Sequence, residues 1–407
     1  MVAENDLVRV VRNVNAAPRN AGYSAGLDGV LPAAGFDSAF NEISGWPGYA
    51  PTPLIALAGL AAEFGIDQLL YKEERHRFGL NSFKALGGAY AVMRVLAKKL
   101  AHRGVPDQIT SRDLAAGRWR EITGDITVVS ATDGNHGRSV AWGARTFGCR
   151  CVIFVHESVS QGRRDAIGRY GAQVREVKGN YDDAVRHAAA TAATEGWTVV
   201  SDTSYPGYSE IPLDVMHGYG VMAAEVVQQL ANSQPPTHVF AQAGVGALAG
   251  AVCATFWLQW GDRRPRFVVV EPTHADCVYR SLEAGHPVVV DGALDTVMAG
   301  LACGEVSELA WEVLQSGTNV ALAIDDRFAL QAMRALAEPT AGDAAVVAGE
   351  TGCVGLAALL AAQDRPALQR ALALNEDSRV LLLGSEGDTD PLIYRQVVGR
   401  SAAEVLA

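Results

Sequence analysis

Ile126-Thr127-Val128-Val129-Ser130-Ala131-Thr132-Asp133-Gly134-Asn135-His136-Gly137-Arg138-Ser139-Val140-Ala141-Trp142 reads as a strand that empties into a polar turn and then a helix. The β-branched run suits a strand, and Thr, Asp, Gly, Asn and His suit a turn. Such a turn at a helix N-terminus exposes backbone N–H groups and short polar side chains, which together bind anions, carboxylates included. An ordinary capped turn would use the same residue types, so the surrounding chain has to decide. Seven further strand-like runs, at 151–155, 173–177, 198–201, 237–242, 266–271, 319–324 and 379–383, alternate with helical patterns. That alternation predicts an α/β fold with a parallel sheet and helices on both faces. Ligands in such sheets bind beyond the carboxyl ends of the strands.

Two more turns fall at such ends. Val239-Phe240-Ala241-Gln242-Ala243-Gly244-Val245-Gly246-Ala247 runs from a strand into a small-residue helix. Glycine there lets the backbone approach a phosphate while the helix dipole favours its charge. The spacing does not fit the dinucleotide fingerprint Gly-x-Gly-x-x-Gly. Val380-Leu381-Leu382-Leu383-Gly384-Ser385-Glu386-Gly387-Asp388-Thr389-Asp390 leads a buried strand into an acidic, hydroxyl-bearing loop.

The fourth segment is Arg77-Phe78-Gly79-Leu80-Asn81-Ser82-Phe83-Lys84-Ala85-Leu86-Gly87-Gly88-Ala89-Tyr90. Its lysine sits among small and apolar residues at a helix start, with Ser82 as the expected N-cap. A poorly solvated lysine favours its neutral amine and becomes nucleophilic, as Schiff-base chemistry with an aldehyde requires. Taken alone, a lysine near a helix start is an ordinary surface residue. The two anion-suited turns and the acidic loop, suited to a ring nitrogen, change that balance.

With these segments together, the chain resembles the pyridoxal-phosphate enzymes of fold type II, and within them the diaminopropionate ammonia-lyases. Phe78–Gly88, Thr132–Gly137, Gln242–Gly246, Met298-Ala299-Gly300-Leu301-Ala302-Cys303-Gly304 and Glu386–Asp390 carry the likeness over nearly the whole chain. The lysine and Met298–Gly304 segments are specific to the lyase-like group, whereas the glycine turn is shared widely. The resemblance implies a tryptophan synthase β-like architecture of two α/β domains with mostly parallel twisted sheets. A large cofactor-binding domain would take 1–88 and 190–407, and a small inserted domain 89–189.

The resemblance also implies roles. Lys84 would hold pyridoxal 5'-phosphate through its amine, Gly244, Val245 and Gly246 the phosphate, and Asn135 the phenolic oxygen. Asp388 or Thr389 would face the pyridine nitrogen. Thr132, Asp133 and Gly134 would hold the substrate carboxylate. Lys84 is the base for an L-substrate, and Asp133 the carboxylate that the family pattern puts on the opposite face for a D-substrate. Asp202, in Ser201-Asp202-Thr203-Ser204-Tyr205, is a second acid whose ordinary reading is a strand-end turn residue. Beside a β-ammonium it would select diaminopropionate over serine or threonine. The expected reaction is α,β-elimination of D- or L-2,3-diaminopropionate through an aminoacrylate to pyruvate and ammonia. The rival readings are a serine or threonine dehydratase, a biosynthetic enzyme eliminating another β-substituent, and an idle homologue that binds without catalysis. His136 reads as structural and Tyr208 as packing.

Composition sets the outer limits. The 407 residues can hold two domains, and 49% hydrophobic with 19% charged residues argues for a globular fold. A net charge of −11 gives no footprint for nucleic acid, and Arg163-Arg164 and Arg263-Arg264 read as solvated pairs. No apolar run has the length of a membrane span, and the first residues do not read as a secretion signal, so a cytoplasmic enzyme is expected. The six cysteines show no zinc-site spacing. In the resembling family Cys277 and Cys303 flank the active-site entrance and can form a disulfide, although thiols are the default in a reducing compartment. A homodimer is likewise implied by the family.

Overall fold

A computed structural model describes residues 7–105, 109–132, 134–157, 159–179, 181–339 and 342–407. The chain divides into two compact units, Met1–Ala33, Pro51–Ser82 and Met222–Ala407 in one, Ala34–Ala50 and Phe83–Val221 in the other. The expected inserted segment 89–189 lies inside the second unit, which also takes in 34–50, 83–88 and 190–221.

The first unit holds strands β1 (Val8–Arg12), β2 (Leu54–Ala56), β3 (Gln68–Glu73), β8 (His238–Gln242), β9 (Arg266–Pro272), β10 (Val320–Ile324) and β11 (Arg379–Gly384), and the second holds β4 (Thr127–Ala131), β5 (Arg150–His156), β6 (Gln173–Val177) and β7 (Thr198–Val199). Sheet order in the first unit is β1-β10-β9-β8-β11-β3-β2. Its five central strands are parallel, and the outer pairs β1–β10 and β2–β3 are antiparallel. The inner strands read as near-continuous apolar runs because helices cover both faces. Val268, Val270, Leu322, Ile324, Val380 and Leu382 are buried in one core with Leu356 and Leu359 of the helix Val354–Gln363.

Strand β3 places a lysine, Lys72, where neither it nor its partner Glu225 has any exposed side chain. Lys72 Nζ donates to Glu225 Oε2 at 2.7 Å, the Thr52 carbonyl at 2.8 Å and Gln229 Oε1 at 3.1 Å. Arg77 meets the same carboxylate with both terminal nitrogens, at 2.7 and 2.8 Å, and donates to Glu74 at 2.9 Å. The charges are buried because each is matched. Glu225 stays ionised: burial pushes its pKa up, and the Arg77 and Lys72 cations pull it below the usual value.

In the second unit the order is β6-β5-β4-β7, all parallel. One face packs Val129, Val152, Phe154 and Val177 against Ala184 and Ala188 of the helix Tyr181–Glu195. The helices Ala85–His102 and Asn135–Phe147 meet closely, since a methyl group at Gly143 would lie 2.7 Å from the Ala89 Cα and one at Gly88 would collide with Ser139.

Arg263 is exposed, as a solvated residue should be, but its neighbour and the other pair are less solvated than their sequence suggests. Arg264 is 9% exposed, donates to the carbonyls of Ala17, Pro18, Arg19 and Ala21, and lies 4.3 Å from the Trp257 ring centroid. Arg164 donates to the carbonyls of Glu157 and Val159 and pairs with Glu176. The stem of Arg163 lies over Gly134. Carbonyls left open by irregular backbone took up these cations. Among the described residues no helix is long and apolar enough to cross a membrane.

Glu225→Ala should destabilise the protein by about 3–5 kcal/mol, because it strands two buried cations. The midpoint of urea unfolding at constant slope checks this.

Candidate active site

Chain geometry around Lys84 starts with strain. Phe78, Gly79 and Asn81 have φ of +49°, +70° and +54°, left-handed values that disfavour all residues but glycine. The segment is braced in the first unit. The Gly387 N–H donates to the Asn81 carbonyl at 2.9 Å, Asn81 Nδ2 donates to Asp388 Oδ1 at 3.4 Å, and Ser82 forms an isolated bridge with Glu386. Ser82 is therefore not the N-cap. Its backbone is committed to an extended bridge, and Lys84 itself takes the cap position of Ala85–His102 with no side-chain cap.

In the second unit Lys84 Nζ lies 2.5 Å from Asp202 Oδ2, with the two side chains 21% and 13% exposed. The Tyr219 hydroxyl is 3.5 Å from that same oxygen, and His136 Nδ1 is 3.8 Å away. The lysine nitrogen is also 5.3 Å from the Phe83 ring centroid and 5.5 Å from that of Tyr219. Asp202 follows β7 on a turn braced by Tyr208, whose hydroxyl donates to the Val199 carbonyl and accepts from the Ser201 N–H, both at 3.0 Å. Tyr208 thus does more than pack.

Electrostatics correct one expectation. Burial alone would lower the Lys84 pKa, but the Asp202 carboxylate, followed by Tyr219, outweighs it and holds the ammonium well above the usual lysine value. Burial likewise raises the Asp202 pKa, and Lys84 and then His136 overcome it, leaving the carboxyl well below the usual range. The amine is not left neutral by its apolar neighbours; it is an ammonium with a counter-ion.

The turn after β4 is shaped by Thr132, whose buried hydroxyl accepts from the Gly134 N–H at 3.0 Å and the Gly137 N–H at 3.2 Å. Asn135 opens the helix Asn135–Phe147, and its Oδ1 accepts from Arg138 at 2.8 Å. Asp133 lies outside the described residues. His136 is buried, with Nε2 3.0 Å from the Val200 carbonyl, which ties it to the strand next to Asp202.

In the first unit, Gly244-Val245-Gly246 leads into the helix Ala247–Trp260 with Gly246 at φ +88° as a cap that has no side-chain bond. A methyl group at Gly244 would lie 3.0 Å from Cys303 Sγ and 3.1 Å from the Gly300 carbonyl, so Met298–Gly304 packs against the loop. The Cys277 thiol donates to the Gly244 carbonyl at 3.4 Å. All six cysteines are thiols, Cys277 and Cys303 among them. After β11, Thr389 donates to Glu386 Oε2 at 3.2 Å, and Gln242 donates to Ser385 Oγ at 2.6 Å.

Tyr219 escaped the sequence reading because it falls in the apolar helix Glu210–Gln229. Its signal was the run Gly218-Tyr219-Gly220, since glycines inside a helix cost stability unless something packs against the bare backbone.

Each unit holds part of what pyridoxal phosphate requires: the second an amine at a helix start, the first a glycine turn with no room for a side chain, followed by a long helix with an uncapped N-terminus. The family described as pyridoxal-phosphate dependent enzyme matches residues 46–386. The diaminopropionate ammonia-lyase of Escherichia coli strain K12 is 42% identical over 356 residues, 86% of this chain and 88% of that protein. That of Salmonella typhimurium is 42% identical over 369 residues, covering 88% and 90%. The crystal structure of the Escherichia coli enzyme in complex with an aminoacrylate-PLP azomethine reaction intermediate superposes with a TM-score of 0.86 at 38% identity, covering 96% of each chain. The chain belongs to the fold type II pyridoxal-phosphate dependent enzymes, and within them to the diaminopropionate ammonia-lyase family.

Because Asp202 keeps Lys84 protonated, Asp202→Asn should lower the Lys84 pKa and speed capture of pyridoxal phosphate by cofactor-free protein at neutral pH. The gain is about tenfold for each pK unit lost. Growth of the cofactor's visible absorbance after mixing measures it.

Proposed function

We propose that this protein removes ammonia from 2,3-diaminopropionate. One observation carries the reading: Asp202 already holds a primary ammonium, that of Lys84, at 2.5 Å in a partly buried site. A β-ammonium on a substrate has the same charge and donor geometry, whereas the hydroxyl of serine lacks the charge. The relatives' activity supports the same choice.

Pyridoxal phosphate, when bound, supplies an electron sink for the negative charge that develops at Cα. This chain's own residues do the rest. Lys84 would hold the cofactor through its nitrogen, with Gly244, Val245 and Gly246 around the phosphate, Asn135 toward the phenolic oxygen, and Asp388 or Thr389 toward the pyridine nitrogen. Thr132 and Gly134 would orient the substrate carboxylate, the Thr132 hydroxyl keeping its own proton to donate while it accepts from two backbone amides. The Lys84 amine would take the Cα proton of an L-substrate and Asp133 that of a D-substrate. Asp202 would hold the β-ammonium until it departs as ammonia. The 2-aminoacrylate left behind takes up water and releases a second ammonia, giving pyruvate. The same reading extends to a cytoplasmic homodimer.

Pyruvate release from D- and L-diaminopropionate should exceed that from D- and L-serine. Asp202→Asn should lower kcat/KM for diaminopropionate about a hundredfold or more while affecting serine far less, because a buried charge pair is lost for only one substrate. Turnover of serine alone by the native enzyme would overturn the assignment.

A further inference from the structure

We infer that Tyr219 is the specificity-determining wall of an ammonium box, closed by Phe83 and Asp202, that distinguishes a β-ammonium from a β-hydroxyl. The inference deepens the lyase reading and rests on it. The Lys84 ammonium marks the box: its nitrogen is 2.5 Å from a carboxylate oxygen and over two aromatic faces at 5.3 and 5.5 Å. Aromatic faces attract cations through the ring quadrupole and give a neutral hydroxyl no comparable gain. A carboxylate alone binds either group, as a salt-bridge partner or as a hydrogen-bond acceptor; the faces add preference for charge.

The Tyr219 ring is built in and cannot turn aside. It is fully buried, and it sits against Phe83 with centroids 4.6 Å apart and ring planes tilted by 60°. A methyl group at Gly87 would collide with the ring edge and lie 2.7 Å from Val215, and one at Gly218 would strike the Leu86 carbonyl. Two glycines, one in each of the helices Ala85–His102 and Glu210–Gln229, bring those backbones together at this ring. Glycine is unfavourable inside helices, and what it admits here is the aromatic wall beside Lys84.

Holoenzyme carrying Tyr219→Leu or Tyr219→Phe tests this through kcat and KM on diaminopropionate and serine. Tyr219→Leu should reduce the diaminopropionate-to-serine ratio of kcat/KM about tenfold, through KM for diaminopropionate. Tyr219→Phe, which keeps the ring, should retain the ratio. A second readout needs no turnover: in cofactor-free protein, the pH at which trinitrobenzenesulfonate labels Lys84, mapped by peptide mass spectrometry, should fall further in Tyr219→Leu than in Tyr219→Phe, since both lose the hydroxyl and only the first loses the ring. Should Tyr219→Leu not fold, Phe83→Leu opens the other wall and reads the same ratio in the same direction. An unchanged ratio, an equal loss on both substrates, or a ratio that falls in Tyr219→Phe overturns the inference. A native enzyme that does not prefer diaminopropionate instead overturns the lyase reading itself.

Discussion

The ammonium of Lys84 and the carboxylate of Asp202 meet at 2.5 Å, where burial works against both charges. Their mutual attraction wins, and much of the second unit's local architecture serves to hold them in reach. Tyr208 ties down the turn that carries Asp202, His136 anchors to the strand beside it, and glycines at 87 and 218 admit the tyrosine behind the lysine. The contact also sets a conflict. A carboxylate that is good at holding an ammonium suppresses the neutral amine that cofactor capture requires.

In the first unit a comparable logic operates without chemistry. Lys72, Arg77, Glu74 and Glu225 form a matched set of buried charges directly before the left-handed residues Phe78, Gly79 and Asn81. Arg77 is held by two carboxylates, so the chain leaves it in one direction. Backbone strain at Phe78 and Asn81 persists because the partners on either side over-determine it. The Gly387 amide and the Ser82–Glu386 bridge fix the far end. Apolar burial makes the core, and these polar contacts specify how the chain exits it.

Much of this was legible beforehand where a single rule governed. All eight runs read as strands are strands, and the central ones of the first unit, buried on both faces, show as unbroken apolar stretches. The three turns stand at carboxyl ends of strands because β4, β8 and β11 end at Ala131, Gln242 and Gly384. What stayed hidden depended on partners distant in sequence. Strand β3 is obscured by Lys72 and Glu73; the first is buried beside Glu225, and the second is paired with Arg75 and His76. Ser82 looks like a cap until its bridge to a residue some three hundred positions away is known. The charge on Lys84 was misjudged because apolar neighbours are local, whereas Asp202 is 118 residues distant.

Under the proposed reading, Asp202 would let leaving-group charge decide between substrates on a shared scaffold. Burial is the largest single influence on its carboxyl and favours the protonated acid; nearby cations reverse that. With an ammonium beside it the group stays anionic, and the ammonium departs as a neutral amine that needs no proton donor. A hydroxyl brings no cation, so less opposes the upward push of burial on the carboxyl. Selectivity would then arise from the linkage between charge and burial at one oxygen, with the aromatic faces sharpening a choice that the carboxylate begins.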